Sequence, residues 1–241
     1  MLRRTMLALT ASTVAMAFAG VAQAQEETIK LGAAAPKTGQ LAGGAAVTHR
    51  PNIQMWMKEV NDAGGLNVGG KKMKIELVEY DDKTNGEEAI KNIQRLATVD
   101  NVDFIVTPYS TGLNIATAPI IARYGFPHIT TSAATDGVEE FAKRWPNSFW
   151  MLGTSKQLGA GVVDTLTKLK AKGDIGNKVA LVNVADAFGL ELVAATKPAL
   201  QAAGFEIVYE TSYPLSVQDL APVISGAKAA SPDAFVAFSY P

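Results

Sequence analysis

The chain has 241 residues, with 22 Lys and Arg against 23 Asp and Glu, 48% apolar residues and no cysteine. A near-neutral balance with no basic patch excludes a nucleic-acid interface of the usual kind. The absence of cysteine excludes disulfides and thiolate metal sites, so stability must come from a packed core of one or two domains.

The first 24 residues read as a secretory signal peptide. Arg3 and Arg4 form a charged start, Met6 to Gly20 is an uncharged apolar run, and Ala22-Gln23-Ala24 is a small-x-small cleavage site. The run is short for a membrane span, which needs about 20 residues. The mature chain is expected to begin at Gln25 as an exported protein, leaving 217 of the 241 residues. No cysteine follows the run, which excludes lipid attachment at that point.

Strand-like and helix-like segments then alternate. Ile29 to Ala35 reads as a strand and Val47 to Asn61 as a helix that stops at Ala63-Gly64-Gly65. Lys72 to Tyr80 alternates apolar and polar residues, as a half-buried strand does. After the loop Asp81 to Gly86, Glu87 to Val99 is a helix. Phe104 to Thr107 is a strand ending in the hydroxyl-rich turn Tyr109-Ser110-Thr111-Gly112, and Leu113 to Tyr124 is a helix. Pro127 to Ile129 is a strand ending in Thr130-Thr131-Ser132-Ala133-Ala134-Thr135. Two adjacent strand ends rich in hydroxyls and small residues make the ligand edge of a parallel α/β sheet. The helix that follows the first of them offers its N-terminus to a carboxylate.

A second series begins near Phe149, after the break Arg144 to Ser148. Ser155 caps a helix running to Ala171, Lys178 to Val184 is a buried strand, and Leu190 to Ala203 is a helix closed by Gly204. Phe205 to Tyr213 is a strand, Val217 to Ala229 a helix interrupted near Pro222, and Ala234 to Phe238 a strand. Such alternation implies parallel sheets joined by crossover helices. The expected organisation is a signal peptide over 1–24, a first unit over 25–147 and a second over 148–241. The sequence stops at Tyr240-Pro241 directly after a strand, and a longer parent protein is expected.

The order of these motifs resembles one family. IKLGAAAPKTGQLA precedes a helix, Asn61-Asp62-Ala63-Gly64-Gly65 precedes Glu79-Tyr80-Asp81-Asp82, and VTPYSTGLNIATAPIIARYGFPHITTSAAT follows. Ala185-Asp186-Ala187-Phe188-Gly189 resembles that family's turn after a second-lobe strand. The chain is similar over its whole mature length to the periplasmic solute-binding proteins of ABC transporters, of the branched-chain amino-acid-binding (leucine/isoleucine/valine-binding) type.

The resemblance implies a type I periplasmic binding protein: two doubly wound parallel-sheet lobes with a hinge, the second lobe truncated here. It implies capture of a small carboxylate, by default an amino acid, through lobe closure, and delivery to membrane permease subunits by a monomer. No cofactor, metal, nucleic acid or catalytic activity is implied. By this resemblance Ser110, Thr111 and Gly112 meet the ligand carboxylate. Ser132, Ala133, Ala134 and Thr135 line the second strand end, either Ala134 or Thr135 taking the family's Thr position. Phe188 and Tyr240 approach from the second lobe. Gln40 and Leu41 lie in the first loop, where Gly44 and Ala45 leave room that an aromatic lid fills in related binders. Each hydroxyl residue also reads as an ordinary cap or turn former. His49, in a helix, and His128, in a strand, read as structural. A receptor-coupled ligand sensor and a binder of aromatic acids are alternatives, and an exported enzyme would need a catalytic constellation that the sequence does not present.

Overall fold

A computed structural model describes residues 27–241. The expected signal peptide and Gln25 lie outside the described residues.

In chain order the elements are β1 (Thr28–Ala35), α1 (Ala42–Thr48), α2 (Arg50–Asp62), β2 (Leu66–Val68), β3 (Lys71–Asp81), α3 (Gly86–Thr98), β4 (Phe104–Val106), α4 (Thr111–Arg123) and β5 (His128–Thr130). They continue with α5 (Val138–Arg144), β6 (Ser148–Trp150), α6 (Ser155–Lys172), β7 (Lys178–Val184), α7 (Ala187–Ala202), β8 (Glu206–Tyr213), α8 (Ala221–Ala229) and β9 (Ala234–Phe238). The strands form three sheets, ordered β2-β3-β1-β4, β5-β6 and β8-β7-β9. Pairing is parallel throughout except for the β2–β3 hairpin, which is antiparallel. The β5–β6 sheet straddles residues 144–148, pairing His128 with Ser148 and Thr130 with Trp150.

Prolines set two boundaries that periodicity alone misses. The helix expected over Val47–Asn61 begins at Arg50 as α2, and a separate helix, α1, in what reads from sequence as the first loop, precedes it and ends at Thr48. Pro51, near the start of α2, has no N–H for the Val47 carbonyl, and its ring crowds that carbonyl. In the same way Pro222 begins α8 rather than interrupting a longer helix. The helix expected to be capped by Ser155 is capped one residue earlier, by Thr154, because Thr154 keeps an extended backbone and its hydroxyl reaches the Gln157 N–H. Asn85 accepts from the Glu87 and Glu88 N–H groups, Thr154 and Gln157 form a reciprocal capping box, and Asp186 accepts from the Gly189 N–H.

The core forms where helices cover parallel strands. Ala34, Ile93, Leu96, Val102, Ile105 and Ile121 interlock between β1, β4, α3 and α4. Leu166, Val179, Leu200 and Phe205 do the same between α6, α7 and the β7 sheet. Removing such side chains from water supplies most of the folding free energy.

Asp82 is the charged exception. It is fully buried at the end of β3; one carboxyl oxygen accepts from the Thr84 N–H and the other has no partner. Burial pushes its pKa up to about 7; the Thr84 hydrogen bond opposes this and the Asp81 charge adds to it. A carboxyl whose folded pKa lies above its unfolded value stabilises the fold fully below about pH 4 and loses that contribution as pH rises to about 7. The variant Asp82→Asn, which has no such titration, is therefore expected to gain on the wild type by roughly 3–4 kcal/mol between pH 4 and pH 7 and little further above. Urea unfolding of both proteins across that range checks this; parallel stability curves would contradict it.

Candidate functional site

The turn after β4 is held in an unusual backbone state. Ser110 has φ 88° and ψ 153°, a region that glycine dominates and that costs other residues about 1–3 kcal/mol. Its hydroxyl oxygen accepts from the Leu113 N–H at 3.3 Å and so caps α4. The strain is held by Asn114, whose Nδ2 donates to the Pro108 carbonyl (2.6 Å) and the Ser110 carbonyl (2.8 Å). Asn114 Oδ1 then accepts from His128 Nε2 at 3.2 Å, and His128 Nδ1 accepts from the Ser148 hydroxyl at 2.6 Å. With both Nδ2 hydrogens of Asn114 donated, its oxygen is left as an acceptor, which fixes this tautomer. Burial lowers the His128 pKa to about 4, so the ring stays neutral. His128 is structural, as its sequence setting suggested.

Thr111 is not turned towards a cavity. Its buried Oγ1 donates to the Ala134 carbonyl and accepts from the Ala134 N–H, both at 3.2 Å, tying the two strand ends together. Thr135 donates to Glu191 at 2.9 Å and accepts from the Gly137 N–H. Glu191 also receives the Asp136 N–H and the Ser155 hydroxyl, so one α7 carboxylate fastens the loop after β5 to the start of α6. Ala133 and Ala134 are fully buried, and Gly112 is exposed.

A cavity of about 260 Å³ opens in front of these strand ends, near the low end for small-molecule sites. From the first half of the chain it is lined by Thr48, His49, Tyr109, Thr131 and Ser132; from the second, by Leu152, Phe188, Ser239, Tyr240 and Pro241. Three aromatic rings form one wall. Phe188 stacks on Tyr240 at 5.3 Å between centroids, and Tyr240 packs against Tyr109 at 5.8 Å. The Tyr240 hydroxyl donates to Asp186 at 2.8 Å. Its pKa is raised, first by burial and then by the Asp186 charge, so it remains a phenol.

Of the residues expected from sequence, Ser132, Phe188 and Tyr240 line this cavity. Ser110, Thr111, Gly112, Ala133, Ala134 and Thr135 stand behind or beside it as the frame. Two expectations about the first loop are corrected. Gln40 is exposed in a turn away from the cavity, and Leu41 is buried in a cluster with Ala45, Ala89, Tyr109 and Leu113. Gly44 and Ala45 do not leave an open pocket, because the Tyr109 ring fills the space. A Cβ on Gly44 would lie 2.8 Å from the Tyr109 hydroxyl oxygen and 3.0 Å from Cε1. Sequence reasoning missed Tyr109 and His49. The signal available was the pairing of a small residue in the first loop with a large ring at a neighbouring strand end. Among the described residues no cluster of His, Asp and Glu could hold a metal ion, and no helix is long and apolar enough to cross a membrane.

Residues 28–241 match the family described as periplasmic binding protein, and the chain belongs to that family. Among curated relatives, it is 27% identical over 236 residues to a Leu/Ile/Val-binding protein homolog 7 of Brucella suis, covering 96% of this chain and 57% of that one. It is 29% identical over 210 residues to an amino acid binding protein of Pseudomonas aeruginosa, covering 86% and 52%. The chain thus spans about half the length of the curated relatives it matches. Among solved structures, the solute-binding protein of an ABC transporter from Rhodopseudomonas palustris BisB5, in complex with 3,4-dihydroxybenzoic acid, is 28% identical with a TM-score of 0.71, covering 88% of this chain and 54% of that one. The branched-chain amino-acid transporter substrate-binding protein of Streptococcus pneumoniae, in complex with isoleucine, is 24% identical with a TM-score of 0.72, covering 88% and 57%, a likeness of fold. The fold is that of a type I periplasmic binding protein.

The Tyr109 packing has a testable sign. Alanine in place of glycine inside an unobstructed helix stabilises by about 1 kcal/mol. Against the Tyr109 ring, Gly44→Ala is instead expected to destabilise by roughly 1–3 kcal/mol, with recovery in the Gly44→Ala, Tyr109→Leu double variant. Denaturant unfolding reads both; a stabilised single variant would show that the space is open.

Proposed function

We propose that this protein is the extracytoplasmic substrate-binding component of an ABC transporter. It is exported by its signal peptide, holds its ligand between a lobe over 25–147 and a lobe over 148–241, and passes the ligand to a membrane permease. It acts by binding, as a monomer, without chemical change to the ligand. The observation that carries this reading is a cavity walled by both halves of the chain, with Tyr109 and Ser132 on one side and Phe188 and Tyr240 on the other. A ligand that touches both walls binds the closed arrangement better than the open one, and that difference in affinity drives closure.

The ligand is a small carboxylate. The hydroxyls of Thr131 and Ser132 and the free first-turn N–H groups of α4 can meet its charged end. Curated relatives named for amino acids support an amino acid. The cavity itself favours an aromatic acid, since three rings offer faces for a flat apolar body. Asp186, which accepts from the Gly189 N–H and the Tyr240 hydroxyl, is not among the lining residues, and the Tyr240 ring stands between its charge and the cavity. The 28%-identical protein in complex with 3,4-dihydroxybenzoic acid supports the same choice.

A thermal-shift panel of amino acids, benzoic acids, short aliphatic acids and their amides tests this. Benzoic acids are expected to give the largest shift, corresponding to about 2.7 kcal/mol at a hundredfold excess over Kd, and their amides little. A larger response to leucine or isoleucine would restore the amino-acid reading, and consumption of a bound compound would overturn the assignment as a binding protein.

A further inference from the structure

We propose that Glu191 is a positioning residue that latches the two walls of the cavity together, and that it tightens ligand binding without touching the ligand. This rests on the reading of the cavity as a ligand site between two lobes.

The latch is built from the same two segments that carry the walls. On α7, Phe188 lines the cavity, and Glu191 follows three residues later, next to it on the helix surface. After β5, Ser132 lines the cavity, and Thr135 and Asp136 follow three and four residues later. Glu191 itself is not among the lining residues. Its Oε1 accepts from the Thr135 hydroxyl at 2.9 Å, and its Oε2 accepts from the Asp136 N–H at 3.0 Å. Asp136 returns the contact, because its Oδ1 accepts from the Lys156 N–H at 3.0 Å. That N–H lies in the first turn of α6, where it has no partner within the helix and carries the positive end of the dipole. One residue of the first lobe thus both donates to the second and accepts from it.

These bonds depend on how the lobes stand. Thr135 and Asp136 precede β6, whereas Lys156 and Glu191 follow it. Drawing Phe188 away from Ser132 also draws Glu191 away from Thr135 and Asp136, and separation beyond about 3.5 Å ends a hydrogen bond. The Ser155 hydroxyl, which donates to Oε2 at 3.1 Å, lies on the same side as Glu191 and moves with it. The carboxylate therefore keeps one partner and takes up water when the walls part, which makes release reversible. Hydrogen bonds to a charged acceptor are the stronger kind, so the latch raises the fraction of unliganded protein in the closed arrangement. Apparent Kd falls in proportion to that fraction.

The test compares the wild type with Glu191→Ala, Glu191→Gln and Ser155→Ala. Benzoate, 3,4-dihydroxybenzoate and isoleucine are titrated by calorimetry, and dissociation is followed by stopped-flow fluorescence. Glu191→Ala is expected to weaken whichever probe the wild type binds by roughly tenfold, nearly all of it as faster dissociation. Glu191→Gln can accept the Asp136 N–H with its amide oxygen and donate its NH2 to the Thr135 hydroxyl, so it is expected to stay within about threefold. Ser155→Ala cuts a bond that does not cross between the lobes and is expected to stay within about twofold. Small-angle scattering is expected to give Glu191→Ala a larger radius of gyration than the wild type without ligand, and the same radius at saturation. Wild-type affinity in Glu191→Ala, or an equal loss in Ser155→Ala, overturns the proposal and leaves the binding reading standing. A wild type that binds none of the three probes removes that reading and the proposal with it. Should Glu191→Ala fail to fold, Asp136→Ala, which cuts the returned bond to α6, takes its place, with an expected loss of roughly fivefold through faster dissociation. Unchanged dissociation in that variant would overturn the latch.

Discussion

One line of buried hydrogen bonds sets the geometry of the site: Ser148 to His128, His128 to Asn114, and Asn114 to the carbonyls of Pro108 and Ser110. It joins β6, β5 and α4 to the turn that ends β4. Each member is buried, and each donor meets an acceptor, which is the condition under which a polar network rigidifies a core rather than weakening it. The neutrality of His128 is essential. A charged ring would present a second N–H where Nδ1 now accepts from Ser148. Burial alone keeps its pKa near 4. The network holds Ser110 in a backbone state it would otherwise leave, and so holds the first turn of α4 in place at the cavity edge.

Around that frame, two kinds of contact separate. Thr111 locks the two strand ends through Ala134, and Glu191 gathers donors from Thr135, Asp136 and Ser155. These contacts fix where the second half of the chain departs from the first. The cavity wall across the two halves is aromatic instead, with Tyr109, Tyr240 and Phe188 in sequence. Ring faces can slide and part at less cost than buried hydrogen bonds can break, since dispersion contacts are many and individually weak.

The sequence carried the architecture well because its signals are local and redundant. The KVALVNV run at 178–184 is a buried parallel strand by composition alone, whereas helix starts were legible only to within a few residues: the cap read at Ser155 is Thr154, and the helix read from Leu190 starts at Ala187 behind the Asp186 cap. The short elements β2, β6 and α5 were missed, because three-residue strands and a two-turn helix carry too few residues for a period to emerge. The site was legible as two strand ends and much less as individual side chains. Ser110 and Thr111 have the composition of a ligand turn, yet the Thr111 hydroxyl is spent on Ala134, a partner 23 residues away. Leu41 looked like a loop residue and is core. Tyr109 reads as a plain strand-end aromatic until Gly44 is seen to make room for it. His49 owes its place to a proline two residues later.

The central claim is that Asn114 clamps the strained turn at Ser110, and a double-mutant cycle tests it most directly. Stability would be measured by urea unfolding for the wild type, Asn114→Ala, Ser110→Gly and the double variant. Glycine adopts the Ser110 backbone state freely, so the loss from Asn114→Ala is expected to be smaller in the glycine background by about 1 kcal/mol or more. Losses that add to within about 0.5 kcal/mol would mean that Asn114 and Ser110 act independently, and that the buried network does not hold the site.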